Sequence, residues 1–312
     1  MTRATSPFSG SGPIVGDLGE IGLLQTIRSI LGDVSPPSPQ GIGDDCATFT
    51  PPPGEKLLLT TDPVVLGIHF TATDPAAKAG AKLLKRNLSD IASMGGKPGP
   101  ALLAFAMGPD LQTDWLVAFV EGLATACREY GVPLVGGDIT SASQGTFIAN
   151  LTQTGTASRP VLRRGAKPAS PIYVTGSLGG SLQGRHLDFI PRLQEGQFLA
   201  TLGNLLSMTD LSDGLAKDLP GLLPPGTSAS LDTSAIPLSA DASSLDAAFC
   251  DGEDYELLFT LEPGTLLQDW PFATQCTKIG EIIQSGEREP LLDSQTGNPL
   301  RFHKPGYAHF HF

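Results

Sequence analysis

Val132-Pro133-Leu134-Val135-Gly136-Gly137-Asp138 sets the pattern of this chain: an apolar, strand-like run that delivers two glycines and a carboxylate. Adjacent glycines at a strand end let the backbone approach a ligand closely, at a conformational cost that an ordinary turn does not require. Five further acidic clusters, each ringed by Gly, Ser or Thr, repeat the theme. They are Gly43-Asp44-Asp45, Thr60-Thr61-Asp62, Ser89-Asp90, Asp210-Leu211-Ser212-Asp213 and Asp251-Gly252-Glu253-Asp254. Most sit where a strand-like run stops or a helical pattern begins, which puts their carboxylates at the ends of elements. Carboxylates gathered that way repel one another and must either protonate or share cations. Hard oxygen ligands beside small residues suit Mg²⁺, which keeps waters and completes its shell from phosphates. The six clusters together point to a metal-dependent phosphate site. Singly, none does.

Outward from these clusters the chain alternates. Apolar spacing predicts helices over 20–30 (closed by Gly32), 76–94, 113–130 and 193–206, with a short one inside 210–223. Strands are expected at 57–61, 101–107, 132–135, 146–157, 171–175, 255–261 and 278–283, with a turn and extended segment over 63–69 and a Gly-rich turn at 179–184. Around 157–170 the composition shifts to Arg, Pro, Gly and Ala. The boundary is therefore expected between a domain 1–157 and a domain 158–312, in an α/β or α+β protein.

Composition excludes several roles. With 312 residues, 40% of them apolar, the chain can bury a substantial core. A formal charge of −12 argues against a nucleic-acid surface, which would need a basic face. It does not exclude phosphorylated small molecules, since metal ions can mediate between carboxylates and phosphate. Cys46, Cys127, Cys250 and Cys276 are scattered, without zinc spacing, and read as reduced thiols of a cytoplasmic protein. The N-terminus is Ser-, Gly- and Pro-rich, and the longest apolar run, 101–107, is too short to span a membrane. No P-loop, dinucleotide fingerprint or nucleophile elbow occurs.

Each candidate also has a plain structural reading. Asp44 and Asp45 can cap a turn, and Ser212-Asp213-Gly214 makes a good helix N-cap. Asp90 lies inside a helical pattern, where an Asp is usually a solvated residue, and Asn87 three residues before it on one face gives only weak support for a site. His69 can be a hydrogen-bonded structural residue. Arg163 and Arg164 near the boundary can be linker, although a guanidinium fork there suits a phosphate.

Taken in order, the motifs resemble the thiamine-monophosphate kinase family. They are Gly41-Ile-Gly-Asp-Asp45, Thr60-Thr-Asp62 with Gly67-Ile-His69-Phe70, Asn87-Leu-Ser-Asp90 to Gly95, Val135-Gly-Gly-Asp138, Arg163-Arg-Gly-Ala166, Val174 to Gly179, Asp210-Leu-Ser-Asp213 and Gly252-Glu-Asp-Tyr-Glu-Leu257. The resemblance spans nearly the whole chain. It implies the two-domain fold of aminoimidazole ribonucleotide synthetase-like proteins, a homodimer, and ATP-dependent phosphorylation of thiamine monophosphate to thiamine diphosphate. It carries metal ligation to Asp44, Thr60, Thr61, Asp62, Asp90, Asp138, Asp210 and Asp213, for several Mg²⁺ ions. ATP contacts fall on Gly137, Asp138, Arg163 and Ser212, and substrate contacts on His69 and Glu253. No general base is expected. The chain departs from the pattern between Gly179 and Asp210, where it is shorter, and near Val120, where Phe119 is the only aromatic residue. Another ATP-using synthetase of the superfamily, or a non-catalytic Mg-nucleotide module, is the alternative. Turnover separates them.

Overall fold

The computed structural model describes residues 6–38, 40–42, 47–286, 289–302, 306 and 307. It divides into two compact units, Met1–Leu88 with Lys97–Ser158, and Ser89–Gly96 with Arg159–Phe312.

The first unit holds a four-stranded sheet in the order β1 (Lys56–Val65), β4 (Phe147–Ala157), β2 (Lys97–Met107), β3 (Leu134–Ser141). β4 runs antiparallel to β1 and β2, whereas β2 and β3 are parallel and joined by helix α3 (Thr113–Tyr130). Period-2 alternation gives the sheet one dry face. Val64, Leu103, Phe105 and Leu151 are buried there, and Trp115, Phe119 and Phe147 form an aromatic cluster, with Trp115 and Phe147 edge-to-face at 4.8 Å. Phe119 is fully buried in that cluster. Helix α1 (Val15–Leu31) breaks its geometry at Gly19, so its regular part begins near the expected residue 20.

Helix α2 (Ala76–Ser93) stops in a Schellman motif: Gly95 is left-handed (φ +66°), its N–H reaches Ala92 O, and the Gly96 N–H reaches Ile91 O.

The second unit is built on a six-stranded sheet, β10 (Leu291–Asp293), β7 (Thr227–Leu231), β9 (Cys276–Gln284), β5 (Pro171–Thr175), β8 (Leu257–Leu261), β6 (Leu205–Asp210). Only the β10–β7 pair is parallel. Its core gathers Leu211, Leu215, Leu219, Phe249, Leu258 and Ile279. Among the described residues it also carries the short α-helices α4 (Arg185–Asp188), α5 (Leu193–Thr201), α6 (Leu215–Asp218) and α7 (Leu245–Cys250).

Several expectations are corrected. β1 does not stop at Asp62 but runs through Pro63, which an edge strand tolerates because its outer N–H side needs no partner. Gly136, Gly137 and Asp138 lie inside β3 rather than beyond it. The helix expected over 193–206 ends at Thr201, and Leu205–Asp210 is the edge strand β6. A short apolar run fits either period, and here the Gly203-Asn204 turn decides. At α4, β7, α7 and β10 the local sequence pattern predicts no regular element.

Candidate active site

In the first unit the named residues stand on the two outer strands of the sheet. Asp62 on β1 shares a register row with Leu151, Leu103 and Gly137, while Asp138 lies one row on, beside Ala104 and Asn150. Two strands separate β1 from β3, which puts about 14 Å between Asp62 and Gly137. Thr60 and Asp62 are half-buried and Thr61 is exposed. The Thr61 hydroxyl donates to Leu151 O (3.2 Å) and accepts from Asn150 Nδ2 (3.0 Å). Asp62 Oδ1 lies 3.5 Å from Arg86 Nη2, and Arg86 also donates to Pro63 O. Gly137 admits no side chain, since an added Cβ would fall 1.7 Å from Leu103 O. Gly137 and Asp138 are exposed and, with Leu102 and Asn150, line an open cavity of 730 Å³, a size that suits a nucleotide.

His69 is 8% exposed and held at both ends. Its Nδ1 accepts the Val65 N–H at 3.0 Å, and its carbonyl accepts from the buried Lys82 Nζ at 2.6 Å. A backbone donor on Nδ1 leaves the neutral ring's proton on Nε2.

The second unit holds the densest arrangement. Ser89 and Asp90, at the end of α2, meet Asp210 at the end of β6: Ser89 Oγ donates to Asp210 Oδ2 at 2.7 Å. Burial, reinforced by the neighbouring Asp90 carboxylate, pushes Asp210 up to about 6, while Arg163 and the Ser89 hydroxyl pull the other way. Arg163 is exposed, on a segment whose Leu162 O accepts the Met208 N–H of β6. Asp218 is raised to about 7, by burial first and Asp210 second. The expected N-cap is not formed by Asp213, whose carboxylate pairs with Lys217 Nζ at 2.6 Å. Asp218, inside the helix, reaches back to accept the Asp213 and Gly214 N–H groups instead.

Ser212 is lashed to the last acidic cluster. Its carbonyl accepts the Glu253 N–H (2.8 Å), and Leu211 O accepts the Tyr255 N–H (2.8 Å). Glu253 and Tyr255 are both left-handed at φ +53°, a conformation non-glycine residues keep only when their surroundings impose it. The imposing groups come from the compressed stretch after Gly179. Arg185 Nη2 meets Asp254 Oδ1 at 2.6 Å, and His186 Nδ1 meets Glu253 Oε2 at 3.1 Å. Arg192 forks onto both Glu256 oxygens at 2.7 Å, and Phe189 stacks on Tyr255 at 4.0 Å. No local pattern in the sequence assigns a role to Arg185, His186, Arg192 or Asp218, and Glu256 is carried only inside the 252–257 motif. The only signal was a concentration of bases in a segment noted for its shortness.

Asp44 lies outside the described residues. Among those described, no three His, Cys, Asp or Glu side chains gather into a metal cage. The donor chemistry nevertheless fits a hard divalent cation. The carboxylates around Asp210 offer hard oxygen donors, and burial with mutual repulsion raises the affinity of Asp210 and Asp218 for positive charge. Magnesium ordinarily takes only one or two such carboxylates, the rest of its shell being water and phosphate.

Residues 43–157 match the family described as AIR synthase related protein, N-terminal domain. The chain is 35% identical over 305 residues to the thiamine-monophosphate kinase of Salmonella typhimurium, covering 86% of this chain and 91% of that one. It is 32% identical over 263 residues to the thiamine-monophosphate kinase of Rhodopirellula baltica, covering 78% and 83%. Among solved structures, AaThiL complexed with AMPPCP and TMP superposes with a TM-score of 0.73 at 26% identity, covering 96% of this chain and 100% of that one.

Proposed function

This chain belongs to the thiamine-monophosphate kinase family, and from that premise we propose how its own residues serve the ATP-dependent phosphorylation of thiamine monophosphate. The nucleophile is a phosphate oxygen of the acceptor. Its in-line attack on the γ-phosphorus forms the new P–O bond as the bond to the β,γ-bridging oxygen breaks, giving thiamine diphosphate and ADP. A phosphomonoester loses its second proton near ~6, so the attacking oxygen is already deprotonated at neutral pH. No side chain need act as base. His69 fits that account, since its Nδ1 already accepts the Val65 N–H and the neutral ring's proton is therefore on Nε2. What the protein must supply is alignment of two polyanions and relief of their repulsion.

The observation that carries this reading is Asp210, 3% exposed and facing a second carboxylate, Asp90. A pair so placed calls for a cation. We assign Asp44, Thr60, Thr61, Asp62, Asp90, Asp138, Asp210 and Asp213 as the residues that would hold Mg²⁺. Bound there, the ions would offset the phosphate charges and stabilise the transferred phosphoryl group. Gly137, Asp138, Arg163 and Ser212 contact ATP, with the bare backbone at Gly137 allowing close approach and the Arg163 fork matching phosphate oxygens. His69 donates to thiamine monophosphate, and Glu253 contacts it. Residues 1–157 form the ATP- and Mg-binding domain and 158–312 the C-terminal domain.

The working protein is a homodimer of the cytoplasm. Supporting the first point, Leu57 and Leu59 lie on the open face of the edge strand β1, 45% and 68% exposed, and neighbouring exposed leucines on one face suit an association surface. Supporting the second, Cys127, Cys250 and Cys276 are free thiols, and among the described residues no helix is long and apolar enough to cross a membrane.

The test is direct. Purified protein with ATP, Mg²⁺ and thiamine monophosphate should form thiamine diphosphate and ADP in equal amounts, and excess EDTA should abolish both. Full turnover in EDTA would overturn the metal assignment.

A further inference from the structure

We propose that His186 is a positioning residue for the thiamine monophosphate site, its imidazole holding the Glu253 carboxylate in the orientation that meets the thiamine end of the substrate. The inference rests on the reading of Glu253 as a substrate contact. A carboxylate repels phosphate and attracts a cationic ring or an exocyclic amine, and thiamine carries both of the latter. Glu253 therefore addresses the ring end of the molecule and not the end that is phosphorylated.

The backbone of Glu253 is already fixed. Its φ of +53° is left-handed, and Gly252 before it is left-handed as well at +71°. Its N–H is tied to Ser212 O, and the carbonyl of Gly252 accepts from Ser181 Oγ. A turn needing only this shape would take glycine or asparagine, because a Glu side chain is disfavoured in that region. A glutamate kept there implies a use for its carboxylate.

Fixing the backbone leaves three side-chain torsions to be ordered, and that ordering has an entropic cost. His186 Nδ1, 3.1 Å from Oε2, bears that role, with the imidazole 9% and the carboxylate 16% exposed. The Tyr255 hydroxyl, 3.4 Å from Oε1, is at the long limit of a hydrogen bond. His186 is in turn braced from both sides along the chain. Arg185 before it grips Ser177 O, Gly179 O and Asp254, and Phe189 after it stacks on Tyr255. The Nδ1–Oε2 contact thus joins two separately anchored segments, and it survives in either charge state of the ring, since Nδ1–H can donate in both.

Steady-state kinetics on four single variants and one double variant test this. His186→Ala should raise KM for thiamine monophosphate about tenfold, the loss expected for one hydrogen bond to a charged group. Values of kcat and of KM for ATP should stay within about twofold. His186→Asn, whose amide N–H sits near the Nδ1 position, should restore most of the loss, whereas His186→Gln, which reaches toward Nε2, should not. Glu253→Gln should also raise KM for thiamine monophosphate, and adding His186→Ala to it should cost little more, as coupled residues require. If the Ala variant does not fold, the contrast between Asn and Gln decides. Equal damage in Asn and Gln, or full additivity with Glu253→Gln, overturns the positioning role alone. An unchanged KM in Glu253→Gln overturns the reading of Glu253, and the proposal with it.

Discussion

Asp254 accepts the Gly179 N–H, pairs with Arg185 at 2.6 Å, and still sits at about 7, because burial outweighs both partners. Its second oxygen, Oδ2, is buried without a hydrogen-bond partner. A carboxyl whose pKa is higher folded than unfolded binds its proton more tightly in the native state. Its favourable contribution is therefore complete below the unfolded value near 3.8 and is lost as pH rises through about 7. Asp254→Asn removes that titration. The urea midpoint of the variant, relative to the parent protein, should rise steadily between pH 4.5 and 7.5, and a difference independent of pH would refute the assignment. The sequence marked Asp254 only as one of four residues in an acidic cluster. Its burial depends on Arg185, 69 positions away, which no local pattern announces.

At the scale of elements, two helices of the first unit approach so closely that glycine is required on both. A Cβ on Gly80 of α2 would lie 2.0 Å from Phe119 O, and one on Gly122 of α3 would lie 2.0 Å from Ala77 O. Helix propensity alone favours Ala over Gly by about 1 kcal/mol, whereas overpacking costs typically about 1–3 kcal/mol. Here the obstructing atoms are backbone, which cannot rotate away, so the second effect wins. Gly122→Ala should lower stability by about 1–3 kcal/mol in chemical denaturation. Gly22→Ala in α1, where the nearest atom would be Leu18 Cβ at 3.5 Å, should instead raise it by about 0.5–1 kcal/mol. Loss of stability in both would show that propensity and packing had been misjudged. The helices themselves were legible, α3 to the residue, because long amphipathic periodicity is a strong local signal. That two of their glycines would touch the neighbouring backbone was not.

For the whole molecule, the proposed homodimer predicts a loss of association when its apolar face is charged. Leu57→Asp combined with Leu59→Asp should shift the protein to monomer mass in light scattering while leaving its helical circular dichroism intact. Unchanged dimer mass would mean that another surface mediates assembly. What the sequence by itself determined is the class of fold, the alternation of its long elements, their glycine stops, and the acidic stretches to which chemistry was assigned. Those are properties of neighbours in the chain, written in periodicity and in residues whose backbone preferences are strong. Only the tertiary structure decided that β1 continues through Asp62 and Pro63, that 205–210 is an edge strand, and that Asp62 and Asp138 stand on opposite borders of one sheet. It alone brought Ser89 to Asp210 and set Arg185, His186 and Arg192 against 253–256. A short apolar run is stable in either period, and a buried charge is tolerable only beside a partner, so both questions are answered by contacts between residues far apart in the chain.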